Sequence, residues 1–256
     1  MTRSYCSEAF HALLVQAQLD SFEALWQLDL ESVDDPNHER GGWSRVCRLE
    51  LNNSQGHPEA FYIKLQSNHC SRSWRRPFGE PTFAREYRNI RTYQAHAVPA
   101  LDAVFYQERI QAGEKQAILI TRALDNYRPL SDLVEGWQDA PLGLRRATVK
   151  HTAKLVGRLH AARLTHHCLY PKHIYVNTEL NEPARLIDLE KTRTQLLRKR
   201  ECVADLAALL RRWKTLEDEE RMRFLTHYLK VNDLNISSEA LMREFFLRKK
   251  NKEARR

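Results

Sequence analysis

Between residues 166 and 176 the chain reads HHCLYPKHIYV, which places three imidazoles, a thiol and an ammonium within one short stretch. Imidazole exchanges protons near neutrality, and a thiolate is both nucleophile and metal ligand. His166, His167, Cys168 and His173 therefore raise a zinc reading, yet H-H-C-x-x-x-x-H is not a standard zinc spacing and adjacent ligands converge poorly. A Cys–His nucleophile would need an electropositive pocket and a third, orienting residue that the sequence does not announce. Carboxylates lie downstream. Asp188 in "RLIDLEKT" follows a short apolar run and is the hard oxygen ligand that Mg²⁺ prefers, and Asp205 opens "DLAALL". Upstream, Lys64 sits in "FYIKL" and Glu86 in "AREYRNI". Taken singly, each has a bland reading: a strand-end lysine, an exposed helix glutamate, a turn aspartate and a capping aspartate.

The elements that would position these residues are legible in outline. "LWQLDLESV", "SRVCRLEL" and "AFYIKLQ" read as strands of an antiparallel meander, separated by turn-rich "DDPNHERGG" and "NNSQGHPE". Cys47, Leu49 and Leu51 alternate with Arg48 and Glu50, giving one apolar face. "EPTFAREYRNIRTYQAH" reads as a helix with Phe83, Tyr87, Ile90 and Tyr93 at helical spacing, and "AVFYQER" and "QAILITRAL" follow as strands. "NHCSRSWRRPFGEPTF" reads as a loop whose Arg72, Arg75 and Arg76, beside Trp74, suit phosphate. "DNYRP" is the candidate hinge. Beyond it the chain is mainly helical, with Val149, Ala153, Val156 and Leu159 or His160 on one side of a long helix.

Composition sets bounds. With 256 residues, 42% hydrophobic and 29% charged, the chain is ordinary for a globular protein that buries a substantial core. A formal net charge of +8 attracts nucleotides, phosphorylated glycans, acidic lipid or nucleic acid without choosing among them. Five dispersed cysteines without a C-x-x-C pair read as reduced thiols, and neither a secretory h-region nor a bilayer-length apolar run is seen. The expected location is the cytoplasm, with a peripheral contact at the inner face of the cytoplasmic membrane as a further expectation. The C-terminal "MREFFLRKKNKEARR", with Phe245, Phe246 and Leu247, is the stretch first in line for an anionic leaflet.

Strands carrying a lysine, a helix carrying a glutamate, then a helical half with a polar loop and "IDLE" is an order of parts that resembles the protein-kinase-like fold. That implies an α+β, two-lobed architecture: a small antiparallel-sheet N-lobe over residues 1–125 and a mainly helical C-lobe over 126–256. The loop is closer to the D-x-Y-x-x-H pattern of bacterial lipopolysaccharide core kinases, with Tyr170 and His173 in place and Cys168 where the aspartate stands. "RGGWSRVCRLEL", "RPFGEPTFAREYRNI", "CLYPKHIYV" and "DLAALL" resemble the InaA-like branch of that Kdo/heptose kinase family, over roughly residues 25 to 210. The resemblance implies ATP and Mg²⁺ as cofactors. It implies that Lys64 holds the nucleotide phosphates, that Glu86 anchors Lys64, that Gly41 and Gly42 are a thin phosphate loop, that Asp188 carries the metal with His173 beside it, and that Asp205 braces the catalytic loop.

The short stretch from Asp188 to Asp205 holds no A-P-E motif, which disfavours a peptide substrate. The acceptor expected from the resemblance is a hydroxyl of a lipopolysaccharide core sugar or another phosphorylated glycan, with Lys172 near the anion. Since phosphoryl transfer depends mostly on positioning and charge neutralisation, Cys168 implies a slowed reaction, with His166 or His167 as substitute proton acceptor. The alternative is a pseudokinase that binds nucleotide or a partner without turnover. Nucleic acid binding rests on charge alone and ranks last.

Overall fold

The computed structural model describes residues 4–39, 41–73 and 76–244. The chain divides into two compact units, Met1–Thr92 with Leu101–Asp125, and Tyr93–Ala100 with Asn126–Arg256. Tyr93–Ala100 thus groups with the second unit although it precedes residue 125; the Leu186 amide donates to Pro99 O at 3.2 Å and Arg185 to Ala100 O at 3.0 Å.

In the first unit β1 (Ser4–Cys6), α1 (Glu8–Gln16) and α2 (Phe22–Trp26) lead into β2 (Trp43–Asn52) and β3 (Pro58–Ser67). A hairpin, β4 (Cys70–Ser73) and β5 (Arg76–Pro81), runs into α3 (Thr82–Ala95), and β6 (Ala103–Gln111) and β7 (Glu114–Arg122) complete the unit. Five strands form an antiparallel sheet in the order β1-β6-β7-β3-β2. Period-two alternation sends Cys47 and Leu49 of β2, and Phe61, Ile63 and Leu65 of β3, into a core shared with Leu14, Phe22 and Leu25 of the leading helices. Lys64, between Ile63 and Leu65, is left on the other face, paired in register with Leu119 of β7.

Two expectations are corrected here. "LWQLDLESV" is not a strand: Ser21 accepts the Ala24 amide at 3.2 Å and starts α2, which buries Phe22 and Leu25, and the remainder keeps only an isolated bridge from Ser32 to Cys47. The basic segment after β3 is not an open loop but the β4–β5 hairpin, in which Arg76 engages Glu80 at 3.7 Å, as does Arg88 of α3 at 2.6 Å. Trp74 and Arg75 lie outside the described residues, as do Phe245, Phe246, Leu247 and the basic C-terminal run.

After Tyr93–Ala100 the second unit resumes with β8 (Tyr127–Pro129), inside the segment expected to be a hinge, which pairs with Tyr175–Asn177. It continues through α4 (Leu130–Glu135), α5 (Leu142–Ala161), β9 (Leu164–Thr165), a 3₁₀ turn at Pro171–His173, β10 (Ile174–Asn177), β11 (Arg185–Leu186), a second 3₁₀ turn at Leu189–Lys191, β12 (Arg193–Thr194), α6 (Arg198–Arg212) and α7 (Asp218–Leu229). Val149, Ala153, Val156, Leu159 and His160 on α5 are all fully buried. Gly157 lets the end of α7 approach, since a Cβ there would lie 3.1 Å from Tyr228 O and 2.8 Å from the Cβ of Val231 just beyond the helix. Glu220 closes a capping box at the start of α7 and also accepts Trp137 Nε1 at 3.1 Å and Arg145 Nε at 2.9 Å. No helix among the described residues is long and apolar enough to cross a membrane.

Candidate active site

In the first unit Lys64 Nζ lies 2.6 Å from Glu86 Oε1, with side chains 16% and 6% exposed. A polar cluster sets this distance. Gln66, on the same face of β3 one alternation further along, accepts the Thr82 hydroxyl at 2.9 Å and the Phe83 amide at 2.9 Å, and donates to His69 O at 2.6 Å. His69 Nδ1 in turn meets Thr82 Oγ1 at 3.1 Å. Gln66 therefore fastens the first turn of α3 to β3, which brings Glu86 on the next turn to Lys64. Sequence reading missed this cluster; its one signal was an apolar-strand glutamine ahead of the helix.

Gly41 and Gly42 have separate local reasons. Gly41 has φ +78° with open space around a Cβ, the left-handed turn that glycine adopts freely, whereas a Cβ on Gly42 would lie 2.2 Å from Ser67 O. The turn joins Asn37 to Ser44, which exchange amide bonds of 2.8 and 2.9 Å. Close packing on the end of β3 accounts for Gly42 without a ligand.

In the second unit the loop between β9 and β10 is held from behind. Asp205, on α6 and 4% exposed, accepts the His166 amide at 2.7 Å and the His167 amide at 3.0 Å. His167 takes φ +62° to present its amide. The fully buried His160 places Nε2 3.4 Å from Asp205 Oδ2 and Nδ1 2.9 Å from Tyr228 Oη. Burial alone would push the His160 imidazole down, but the hydrogen bond and charge of Asp205, with neighbouring Cys202, hold it up at about 9. Burial would likewise raise the Asp205 carboxyl, and the His160 bond and charge keep it below the usual range. An imidazolium–carboxylate pair thus anchors the loop. The sequence marked Asp205 for this task and gave His160 only as a residue on an apolar helix side.

His166 is fully buried and its Nε2–H donates to Ile187 O at 2.9 Å, while Nδ1 has no partner among the described residues. Burial lowers its basicity. This corrects the expectation of His166 as proton acceptor: an enclosed ring tied to the Asp188 turn positions that turn and cannot reach an acceptor hydroxyl. His167 is exposed and Cys168 only 7% exposed. Tyr170 lies under Arg212 of α6, whose guanidinium carbon is 3.8 Å from the ring centroid.

Asp188 has φ +56° and ψ +58°, a left-handed conformation that costs an aspartate about 1–2 kcal/mol and is over-determined by its neighbours. The Ile187 amide donates to His173 O at 3.0 Å, so the loop and the Asp188 turn are tied on both sides of Ile187. Asp188 Oδ2 lies 3.3 Å from His173 Nε2. His173 Nδ1 is 2.8 Å from Cys168 O, a carbonyl that only accepts, so Nδ1 carries the proton and Nε2 presents a lone pair. Burial, with Lys172 and Lys191 nearby, outweighs the Cys168 bond and Asp188 and lowers the ring's basicity. Two acceptors facing each other at this distance fit a cation between them or beside them. Among the described residues no group of three or more His, Cys, Asp or Glu side chains forms a metal cluster; the Asp188 carboxylate suits Mg²⁺, which takes its other ligands from phosphate and water, while the His173 imidazole is a softer donor than the oxygens Mg²⁺ prefers. Lys191 was not singled out in the sequence, although it follows Asp188 within the same motif; with Lys172 it makes the surroundings positive.

A model of the lipopolysaccharide kinase (Kdo/WaaP) family matches residues 23–228. The chain belongs to this family. It is 32% identical over 188 residues to Protein InaA of Escherichia coli (strain K12), an alignment covering 73% of this chain and 85% of that protein. Its fold is similar to that of WaaP in a solved structure with acyl carrier protein, with a TM-score of 0.67 at 22% identity, covering 97% of this chain and 98% of the other. The α+β architecture of this kinase family, an antiparallel sheet followed by a mainly helical part, is therefore that of the chain.

Proposed function

We propose that this chain is an ATP- and Mg²⁺-dependent phosphotransferase that acts at the cytoplasmic face of the membrane on a hydroxyl of a lipopolysaccharide core sugar. The observation that carries the reading is His173 Nε2 facing Asp188 Oδ2 at 3.3 Å, with the Asp188 carboxylate on a strained turn. When bound, Mg²⁺ supplies charge neutralisation at the phosphates. The chain does the rest. Lys64, fixed by Glu86, offers its ammonium to the nucleotide phosphates; His173 and Asp188 supply the metal donors; Lys172 and Lys191 draw in the anionic acceptor. Asp205 keeps the His166–Cys168 backbone in register so that the exposed His167 imidazole can take the acceptor's proton, the task for which Cys168 has no carboxylate.

The test is transfer of labelled γ-phosphate from ATP to a deacylated core oligosaccharide, with and without Mg²⁺. The expected result is slow, Mg²⁺-dependent transfer that Asp188→Asn and Lys64→Met each reduce to background. Transfer that survives both substitutions would overturn the site. The pseudokinase reading has one observation in its favour, the nearly enclosed Cys168 at the base position. It gains if ATP raises the melting temperature while no phosphate moves, because a ligand that binds only the native state must stabilise it.

A further inference from the structure

Leu196 and Leu197 are 89% and 60% exposed, on a turn that is held rather than loose. Both of their amides donate to Glu201 Oε2, at 2.8 and 2.9 Å, and the preceding Gln195 is tied by its amide to Arg163 O at 2.8 Å and by its side chain to Leu164 O at 2.9 Å. The fold thus presents two adjacent leucines to solvent on a fixed backbone, at the expense of apolar hydration. Charge surrounds them. Lys191–Arg200, sequence KTRTQLLRKR, contains five cations and no acid; Arg198 and Lys199 pair with Asp233 and Glu244 from further along the chain, and the next acid in sequence, Glu201, accepts from the two leucine amides. Leu197 and Arg200 line a surface depression of about 470 Å³ with Glu201 and Ala204. Within the second unit this turn continues directly from the Asp188 motif, through β12, which pairs with β9 at the entry to the catalytic loop.

We propose that Gln195–Leu197 is a membrane-insertion turn: Leu196 and Leu197 enter the acyl boundary of an anionic leaflet while Arg193 and Arg200 meet its phosphate headgroups. Two leucines at a turn tip offer too little apolar area for a stable protein interface, which needs about 800 Å² per partner, and they lack the i, i+3, i+4 spacing of a helix laid along a groove. A tip of this kind suits a fluid boundary, and the cations beside it, in excess over the acids they meet, complement a negative lipid surface. The inference uses no catalytic residue and stands or falls apart from the phosphotransfer reading.

The test is co-sedimentation of the full chain, without nucleotide, with phosphatidylethanolamine–phosphatidylglycerol vesicles and with phosphatidylcholine vesicles. The wild type is expected to prefer the anionic vesicles by about tenfold and to lose that preference as salt rises from roughly 0.1 to 0.5 M. Leu196→Ser with Leu197→Ser is expected to weaken binding by about tenfold at an unchanged melting temperature, since both side chains are exposed. A Leu196→Trp variant is expected to shift its emission to the blue on adding anionic vesicles. Wild-type-like binding by the serine pair, no binding by the wild type, or an unshifted tryptophan overturns the proposal. So does a serine pair that keeps vesicle binding and loses binding to acyl carrier protein, which would make the turn a protein contact. Turnover on the deacylated acceptor is expected to be unaffected by the serine pair, so a failed phosphotransfer assay and a failed insertion turn give different results.

Discussion

Cys168 concentrates the question of activity in one side chain. Its carbonyl is held by His173 and its side chain is nearly enclosed, so a carboxylate placed there would be oriented without a new loop conformation. Cys168→Asp is therefore expected to raise turnover on the core oligosaccharide by about 10²-fold, the low end of what a positioned base contributes. The measurement is kcat, and an unchanged kcat with ATP still bound would place the block elsewhere. His173→Ala is expected to raise the Mg²⁺ concentration giving half-maximal rate by about tenfold, because it removes one of two protein donors and leaves Asp188 alone on a strained turn. An unaltered metal dependence would remove His173 from the metal's surroundings.

At the scale of elements, the join between β3 and α3 decides where Lys64 meets Glu86. Gln66→Leu leaves the Phe83 amide and the Thr82 hydroxyl without their buried acceptor, at about 1–3 kcal/mol. Its expected consequence is a lower melting temperature together with a raised KM for ATP, since the turn carrying Glu86 is no longer fastened. The phosphate-loop glycines offer a contrast. Gly41→Ala meets only its positive φ, about 1–2 kcal/mol, whereas Gly42→Ala drives a Cβ to 2.2 Å from Ser67 O and forces the start of β2 off β3. Denaturant titration is expected to rank Gly42→Ala as the more destabilising; the reverse order would show that this packing is not what fixes the turn.

For the molecule as a whole, the buried His160–Asp205 pair gives stability a characteristic pH dependence. The His160 value of about 9 in the folded chain lies above its unfolded value of 6.5, so its contribution is fully present below 6.5 and is lost as pH rises through about 9. Asp205, His166 and His173 are shifted down, so their contributions hold above their unfolded values and are lost as pH falls through the lower folded ones. The melting temperature is expected to be highest near neutrality and to fall on both sides. His160→Ala, by leaving Asp205 buried and unpaired, is expected to cost about 3–5 kcal/mol and to remove the fall between pH 7 and 9.5 or so. A persistent alkaline fall in that variant would assign it to another group.

The fold class, the order of its parts, the Lys64–Glu86 pair and the Asp205 brace were legible in the sequence because alternation, helical spacing and residue order are local properties of the chain. The α2 helix was misread because a hydroxyl cap and two buried apolar residues outweigh strand-like composition over so short a run. The rest was decided by tertiary structure. His160 became an imidazolium only when α5 placed it behind Asp205, and His166 lost access to solvent only when Ile187 closed over it. His173 and Asp188 came to face each other because the Ile187 amide donates to His173 O and the His166 ring donates to Ile187 O, while Leu196 and Leu197 remained outside because Glu201 claims their amides. Spacing along a chain states which groups are available. Burial and the partner each lone pair meets decide charge and reach, and both arise only once distant segments pack.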